Sequence, residues 1–124
     1  NENPKGAIFP TPVIGMLGLV EDIEHVTTAN FKNSGDLIYL LGDDYEEIGG
    51  SEYLKIIFDL VEGNAPKIDL QKEKELHTIL LRLIRNGLIN SAHDISEGGL
   101  ISALAECCII DTEKLIGAKV NIPI

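Results

Sequence analysis

Ser91-Ala92-His93-Asp94-Ile95-Ser96-Glu97-Gly98-Gly99-Leu100 brings a histidine, two carboxylates and a glycine pair together just where an apolar, helix-like run begins. Those residue types suit metal–phosphate chemistry. Backbone N–H groups at a helix start attract phosphate, glycines let it come close, and carboxylates such as Asp94 and Glu97 can hold the magnesium that accompanies a nucleotide. The same residues also make an ordinary helix start, with Ser96 as its cap, Glu97 at its positive end and Gly98 and Gly99 allowing close packing. His93, taken alone, is more often a structural hydrogen-bonding residue than a proton-transfer group.

A second stretch, Glu46-Glu47-Ile48-Gly49-Gly50-Ser51-Glu52-Tyr53-Leu54, again sets acidic residues and a glycine pair before a helix-like segment. Gly49, Gly50 and Ser51 could approach a phosphate. The carboxylates would oppose an anion unless magnesium intervened, so a turn followed by a capped helix is the competing reading. A third stretch, Pro10-Thr11-Pro12-Val13-Ile14-Gly15, has no titratable group and can only position other residues. The chain contains neither GxxxxGK[ST] nor GxGxxG, so the common nucleotide-binding folds are not indicated.

The elements that must position these stretches follow from hydrophobic period and punctuation. Residues 1–12 carry three prolines and a glycine and predict an extended, irregular lead-in. Residues 13–20 are apolar, with β-branched members and two glycines, as in a buried strand that acidic Glu21, Asp22 and Glu24 end. A polar stretch and the turn Ser34-Gly35-Asp36 lead to a second strand over residues 37–41, closed by Gly42-Asp43-Asp44. Leu54, Ile57, Phe58 and Val61 fall at i, i+3, i+4 and i+7, which predicts a helix capped by Ser51 and stopped by Gly63. Asp69 caps a second helix with the stripe Leu76, Ile79, Leu80, Leu83 and Ile84; Arg82 and Arg85 suit its negative end, and Gly87 stops it. Residues 88–93 form a short strand or loop. A third helix then carries Leu100, Ile101, Leu104, Ala105 and Cys108, and residues 118–122 form a further strand. The order predicts an α/β (α+β) sandwich, a mixed sheet with packed helices.

At 124 residues the chain has room for one main core, and its 44% hydrophobic content sets it apart from disordered chains. A formal charge of −10 repels a nucleic-acid backbone. No apolar stretch approaches the roughly 20 residues that cross a bilayer, and no charged-then-apolar leader opens the chain, so the expected compartment is cytoplasmic, without nucleic acid or membrane partners. Cys107 and Cys108 are adjacent, a poor geometry for a disulfide and no metal pattern, and are expected as reduced core residues. The Asn1 start and the end at Ile124, inside an apolar run, both suggest a chain cut from a longer one.

Taken together, Pro10-Thr11-Pro12-Val13-Ile14-Gly15-Met16-Leu17-Gly18-Leu19-Val20-Glu21-Asp22, Gly49-Gly50-Ser51-Glu52-Tyr53-Leu54 and the 91–100 stretch resemble, in order and spacing, the second half of the phosphoribosylformylglycinamidine synthase family. The resemblance covers nearly the whole chain. It implies a duplicated member of the aminoimidazole ribonucleotide synthetase superfamily, each half built from an N-terminal and a C-terminal α/β domain. Residues 1–31 would end the preceding N-terminal-type domain and its connecting strand. Residues 32–124 would form the aminoimidazole ribonucleotide synthetase-like C-terminal domain, incomplete at its C-terminus. His93-Asp94-Ile95-Ser96-Glu97-Gly98-Gly99 looks like the counterpart of the family's His-x-Thr-Gly-Gly-Gly loop, with Glu97 departing from it. The family's Gly-Asn-x-Ser-Leu-Tyr segment would end just before Asn1, and a later acidic-serine motif would lie beyond Ile124.

The activity so implied is ATP-dependent ligation. ATP activates the formamide oxygen of formylglycinamide ribonucleotide as an iminophosphate, and ammonia from a glutaminase subunit or domain attacks it, with Mg2+ neutralising the phosphates. Asp94 and Glu97 would contact magnesium–nucleotide, Gly98 and Gly99 would let phosphate approach, His93 would orient the loop, and Ser96, Gly49, Gly50 and Ser51 are the remaining candidates. No residue is assigned a catalytic role, and the isolated piece is expected to be inactive. Two alternatives stay open. One is another ATP-using superfamily member, such as selenophosphate or aminoimidazole ribonucleotide synthetase; the other is a non-catalytic pseudo-symmetric scaffold carrying a structural nucleotide.

Overall fold

The computed structural model describes residues 2–3, 6–7, 12–43 and 47–121. Its elements are the strands β1 (Glu2–Asn3) and β2 (Gly6–Ala7), a 3-10 turn at Ile23–His25, and the helices α1 (Glu52–Phe58), α2 (Leu70–Arg85) and α3 (Gly99–Ile109). Pro10, Thr11, Asp44, Glu46 and the last part of the expected 118–122 strand lie outside the described residues. The lead-in contains one antiparallel pairing, β1 with β2, in the register Glu2 to Ala7 and Asn3 to Gly6.

Helix α2 follows its local signals closely. The Asp69 carboxylate accepts from the amides of Gln71 at 3.0 Å and Lys72 at 3.2 Å, satisfying two of the donors that a helix start leaves without partners. At the other end the amides of Gly87 and Leu88 return to the carbonyls of Ile84 and Leu83, with Gly87 at φ 63°. That left-handed reversal after the helix is where glycine is favoured. Arg82 and Arg85 occupy the last turn, as expected.

Helix α1 is capped by Ser51 as predicted, its Oγ accepting from Leu54 N at 3.3 Å. It ends at Phe58 rather than running on to Gly63. Asp59 turns into the left-handed region at φ 54°, and the amides of Asp59 and Leu60 bond the carbonyls of Lys55 and Leu54. Val61 therefore falls outside the helix, and the i+7 member of the predicted stripe is lost.

Helix α3 buries a face rotated from the expected one: Leu100, Leu104 and Cys108 of the predicted stripe are half-buried, while Ala105 is exposed. Ala103 and Cys107 are its buried residues, whereas Ile101, placed on the predicted stripe, is 65% exposed. A helix apolar around most of its circumference has no single stripe to be read, so the segments packed against it choose the face. Those segments are visible in the long-range hydrogen bonds: Phe31 N to the Cys107 carbonyl at 3.0 Å and Ile116 N to the Cys108 carbonyl at 3.4 Å. Cys107 and Cys108 are free thiols, the first buried and the second half-buried, in line with the expectation of reduced residues near the core.

The segment around residues 28–36, which carries no periodic signal, ties these parts together. The Thr28 carbonyl accepts from Ala92 N at 3.2 Å, Asp36 Oδ2 from Asn90 Nδ2 at 2.8 Å, and Asn30 Nδ2 donates to Asp111 Oδ2 at 3.2 Å. Lys114 Nζ reaches the Lys32 carbonyl at 2.5 Å. This polar seam fixes the entry to the 93–99 loop and the exit of α3 against the same stretch of chain.

The predicted mixed sheet does not form among the described residues. Residues 13–20, 37–41 and 118–121 carry no strand pairing, and residues 88–93 form no ladder, the Ala92–Thr28 backbone bond standing singly between the two stretches. A strand is stable only when a neighbour satisfies its backbone and something covers its apolar face. Here Leu17 is fully exposed and Leu19 is 97% exposed. The accessible surface is 11499 Å2, against roughly 6,500 Å2 for a compact folded chain of this mass. The apolar segments thus have sequence for a sheet but no partner strands among the described residues. No helix among the described residues is long and apolar enough to cross a membrane.

Candidate functional site

The loop over residues 93–99 is held from both sides of its histidine. His93 Nδ1 lies 2.6 Å from the Asp94 carbonyl oxygen, which can only accept, so Nδ1 carries the hydrogen. Nε2 lies 3.0 Å from Glu106 Oε2 on α3, an ion pair that requires Nε2 to carry a hydrogen as well, and the imidazole is only 16% exposed. With both ring nitrogens engaged, His93 is an orienting group rather than a base with a nitrogen to spare.

The acids of the loop are placed differently. The Asp94 side chain is 85% exposed, with Oδ1 3.5 Å from His93 Nδ1. Glu97 is exposed and makes no hydrogen bond or ion pair among the described residues. Both carboxylates are therefore accessible to a cation. Among the described residues no group of three or more His, Cys, Asp or Glu side chains is arranged to hold a metal ion. Two accessible carboxylates still suit magnesium, which takes one or two of them and completes its octahedron with water and substrate phosphate.

The start of α3 corrects the expected cap. Ser96 does not cap the helix; its carbonyl accepts from Gly99 N at 3.2 Å, closing a turn at residues 97–98. The N-cap is Gly98, at φ 86°, with no side-chain acceptor on the first turn, and Gly99 follows at φ 72°. Two consecutive left-handed residues swing the chain into the helix in a way that side chains with a Cβ resist. A Cβ on Gly98 would also lie 2.3 Å from Ser102 Oγ. The first amides of α3 thus meet no side-chain cap, and glycines surround them.

The 49–51 stretch spends its polar groups internally. Gly50 N donates to the Glu62 carbonyl at 2.8 Å and Ser51 N to the Ile48 carbonyl at 3.3 Å, while Glu47 Oε2 accepts from Lys67 N at 3.0 Å. Gly49 packs against backbone: a Cβ there would lie 2.3 Å from the Asn64 carbonyl oxygen. Ser51 Oγ donates to the Ile48 carbonyl and accepts from Leu54 N. No hydrogen bond or ion pair among the described residues joins this stretch to the 93–99 loop.

Reading the sequence alone misses Glu106 and Ser102, the two α3 side chains that meet the loop. The one available signal is a lone carboxylate in the otherwise apolar Leu104-Ala105-Glu106-Cys107-Cys108 run. Nothing local links it to His93, thirteen positions earlier.

With this geometry in hand, the chain can be set beside known proteins. The family model described as AIR synthase related protein, C-terminal domain, matches residues 33–118. The chain is 53% identical over 122 residues to the phosphoribosylformylglycinamidine synthase subunit PurL of Thermoanaerobacter sp. (strain X514) and to that of Thermoanaerobacter pseudethanolicus. It is 47% identical over 122 residues to the subunit of the same name from Symbiobacterium thermophilum. In each case the match takes in 98% of this chain but 16% of the relative's length. No solved structure matches.

Proposed function

We infer the function from one premise: this chain belongs to the family described as AIR synthase related protein, C-terminal domain. We propose that it forms part of an ATP-dependent ligase of purine biosynthesis. That ligase converts formylglycinamide ribonucleotide and glutamine-derived ammonia to formylglycinamidine ribonucleotide. The observation that carries the reading is the identity of about half the residues, along nearly the whole chain, to synthase subunits of that name. The activity belongs to the assembled ligase, in the cytoplasm, with a glutaminase subunit or domain supplying ammonia.

Within that ligase, residues 1–31 complete the preceding domain and residues 32–124 form most of the C-terminal one. The uncovered apolar segments at 13–20, 37–41 and 118–121 pair there with strands from the rest of the assembly, forming the mixed sheet. Their exposure in this chain supports the proposal, since such surface is normally buried.

The 93–99 loop faces the nucleotide. Asp94 and Glu97 would hold Mg2+ together with phosphate oxygens and water, and Gly98 and Gly99 let phosphate reach the uncapped amides of α3. Bound magnesium would neutralise the charge that builds up on the transferred phosphoryl group. His93 orients the loop. Gly49, Gly50 and Ser51 shape a turn and contribute no ligand.

The test is turnover by the assembled ligase, supplied with formylglycinamide ribonucleotide, ATP and ammonium and carrying Asp94→Asn. The reading expects at least a hundredfold loss of turnover with little change in thermal stability. Near-normal turnover with a lowered melting temperature would instead favour a scaffold half that carries a structural nucleotide. No turnover of formylglycinamide ribonucleotide by the unaltered ligase would overturn the activity itself.

A further inference from the structure

Helix α3 presents two polar side chains apart from its cysteines, Ser102 and Glu106, four residues apart and hence on one face. Both meet the 93–99 loop. Gly98 lies so close over Ser102 that any Cβ would strike its Oγ and Cβ, and Glu106 Oε2 lies 3.0 Å from His93 Nε2. A continuous link therefore runs from the Glu106 carboxylate through the His93 ring to the Asp94 backbone carbonyl, 2.6 Å from Nδ1. Asp94 and Glu106 are both largely solvent-exposed, yet the ring between them is mostly covered.

We propose that Glu106 is a positioning residue: it fixes the His93 ring, the ring fixes the Asp94 peptide, and the Asp94 carboxylate is thereby held outward toward magnesium–nucleotide. The proposal rests on the reading of the 93–99 loop as the nucleotide-facing segment. The geometry is that of an outer-shell carboxylate orienting a histidine, where the orienting partner acts on the ligand group without touching the ligand.

Nuclear magnetic resonance of the isotope-labelled full chain tests it, reading the His93 ring nitrogens and the amides of residues 94–99 with and without Mg·ADP. In Glu106→Ala the ring signals should move toward those of exposed His77, the loop amides should shift, and Mg·ADP affinity should fall about tenfold or more. Glu106→Gln keeps an acceptor at the same reach and should restore most of both. His93→Gln leaves α3 untouched and should displace the same loop amides, so the claim remains decidable if Glu106→Ala loses the helix. The double variant should add nothing to either single change, because both cut one link.

Loop amides and ring signals unchanged in Glu106→Ala, or additive effects in the double variant, would overturn the proposal. Failure of the unaltered chain to bind Mg·ADP would count against the nucleotide reading alone, since the ring and amide signals decide the role of Glu106 without ligand.

Discussion

Two stretches of this chain share a composition, acidic residues and a glycine pair ahead of a helix, and use it in opposite ways. At 47–51 the amides of Gly50 and Ser51, the Ser51 hydroxyl and the Glu47 carboxylate are all bonded within the protein, and Gly49 lies against the Gly63–Asn64 backbone. At 93–99 the two carboxylates face solvent, the helix start has no side-chain cap, and the fixed element is the half-buried ring of His93. A glycine pair near acids is therefore not itself a ligand signal. What separates the two is whether the polar groups are already spent.

The sharpest way to break the comparison is to add a methyl group to each pair. Gly49→Ala would drive a Cβ into the Asn64 backbone, which cannot step aside, and should cost about 2–3 kcal/mol, with Mg·ADP affinity per folded molecule unchanged. Gly98→Ala meets a serine side chain and a positive φ, and should cost about 2 kcal/mol while also weakening Mg·ADP binding. Denaturant titration followed by circular dichroism gives the first quantity and calorimetry the second. Equal binding losses in both variants would erase the distinction.

A milder change sharpens it. Ser51→Ala removes the cap of α1 and should lower stability by about 1 kcal/mol without altering nucleotide affinity. Lost affinity in that variant would return the 49–51 stretch to the list of ligand residues.

Legibility in the sequence followed the range of the interactions. Asp69, Gly87 and the stripe between them defined α2 because its caps and its period lie within the helix and its flanks. The Ser51 cap was equally local. The end of α1 was not, because the reversal falls on Asp59, where a left-handed conformation has little sequence signature, rather than on Gly63. The buried face of α3 was read only in part, with Leu100, Leu104 and Cys108 on it and Ala103 and Cys107 missed, since Phe31 and Ile116, distant in sequence, contact that side. The strands were read from apolar runs, but pairing is non-local, and those runs have no strand partners among the described residues. At the site, His93, Asp94 and Glu97 were visible as residue types, whereas Glu106 was silent until the helix brought it to the ring.

The smallest effect concerns the buried residues of α3. Burial pushes the Cys107 thiol up, and neighbouring Cys108 and Glu106 add to the push. The folded chain then keeps that proton more tightly than the unfolded chain does. The stability it contributes is fully present below the unfolded thiol's pKa, about 8.5, and is lost as pH rises through the higher folded value. Denaturation midpoints measured from neutral to alkaline pH should therefore fall more steeply for the unaltered chain than for Cys107→Ala. Parallel curves would mean that the thiol is not held in its neutral form by the fold.

The central claim is that nucleotide is met at residues 93–99 and not at 49–51. Calorimetric titration of the full chain with Mg·ADP, alongside Asp94→Asn and Ser51→Ala, tests it most directly. The account predicts binding that Asp94→Asn abolishes and Ser51→Ala leaves intact; binding that survives Asp94→Asn, or is lost in Ser51→Ala while the chain remains folded, would contradict it.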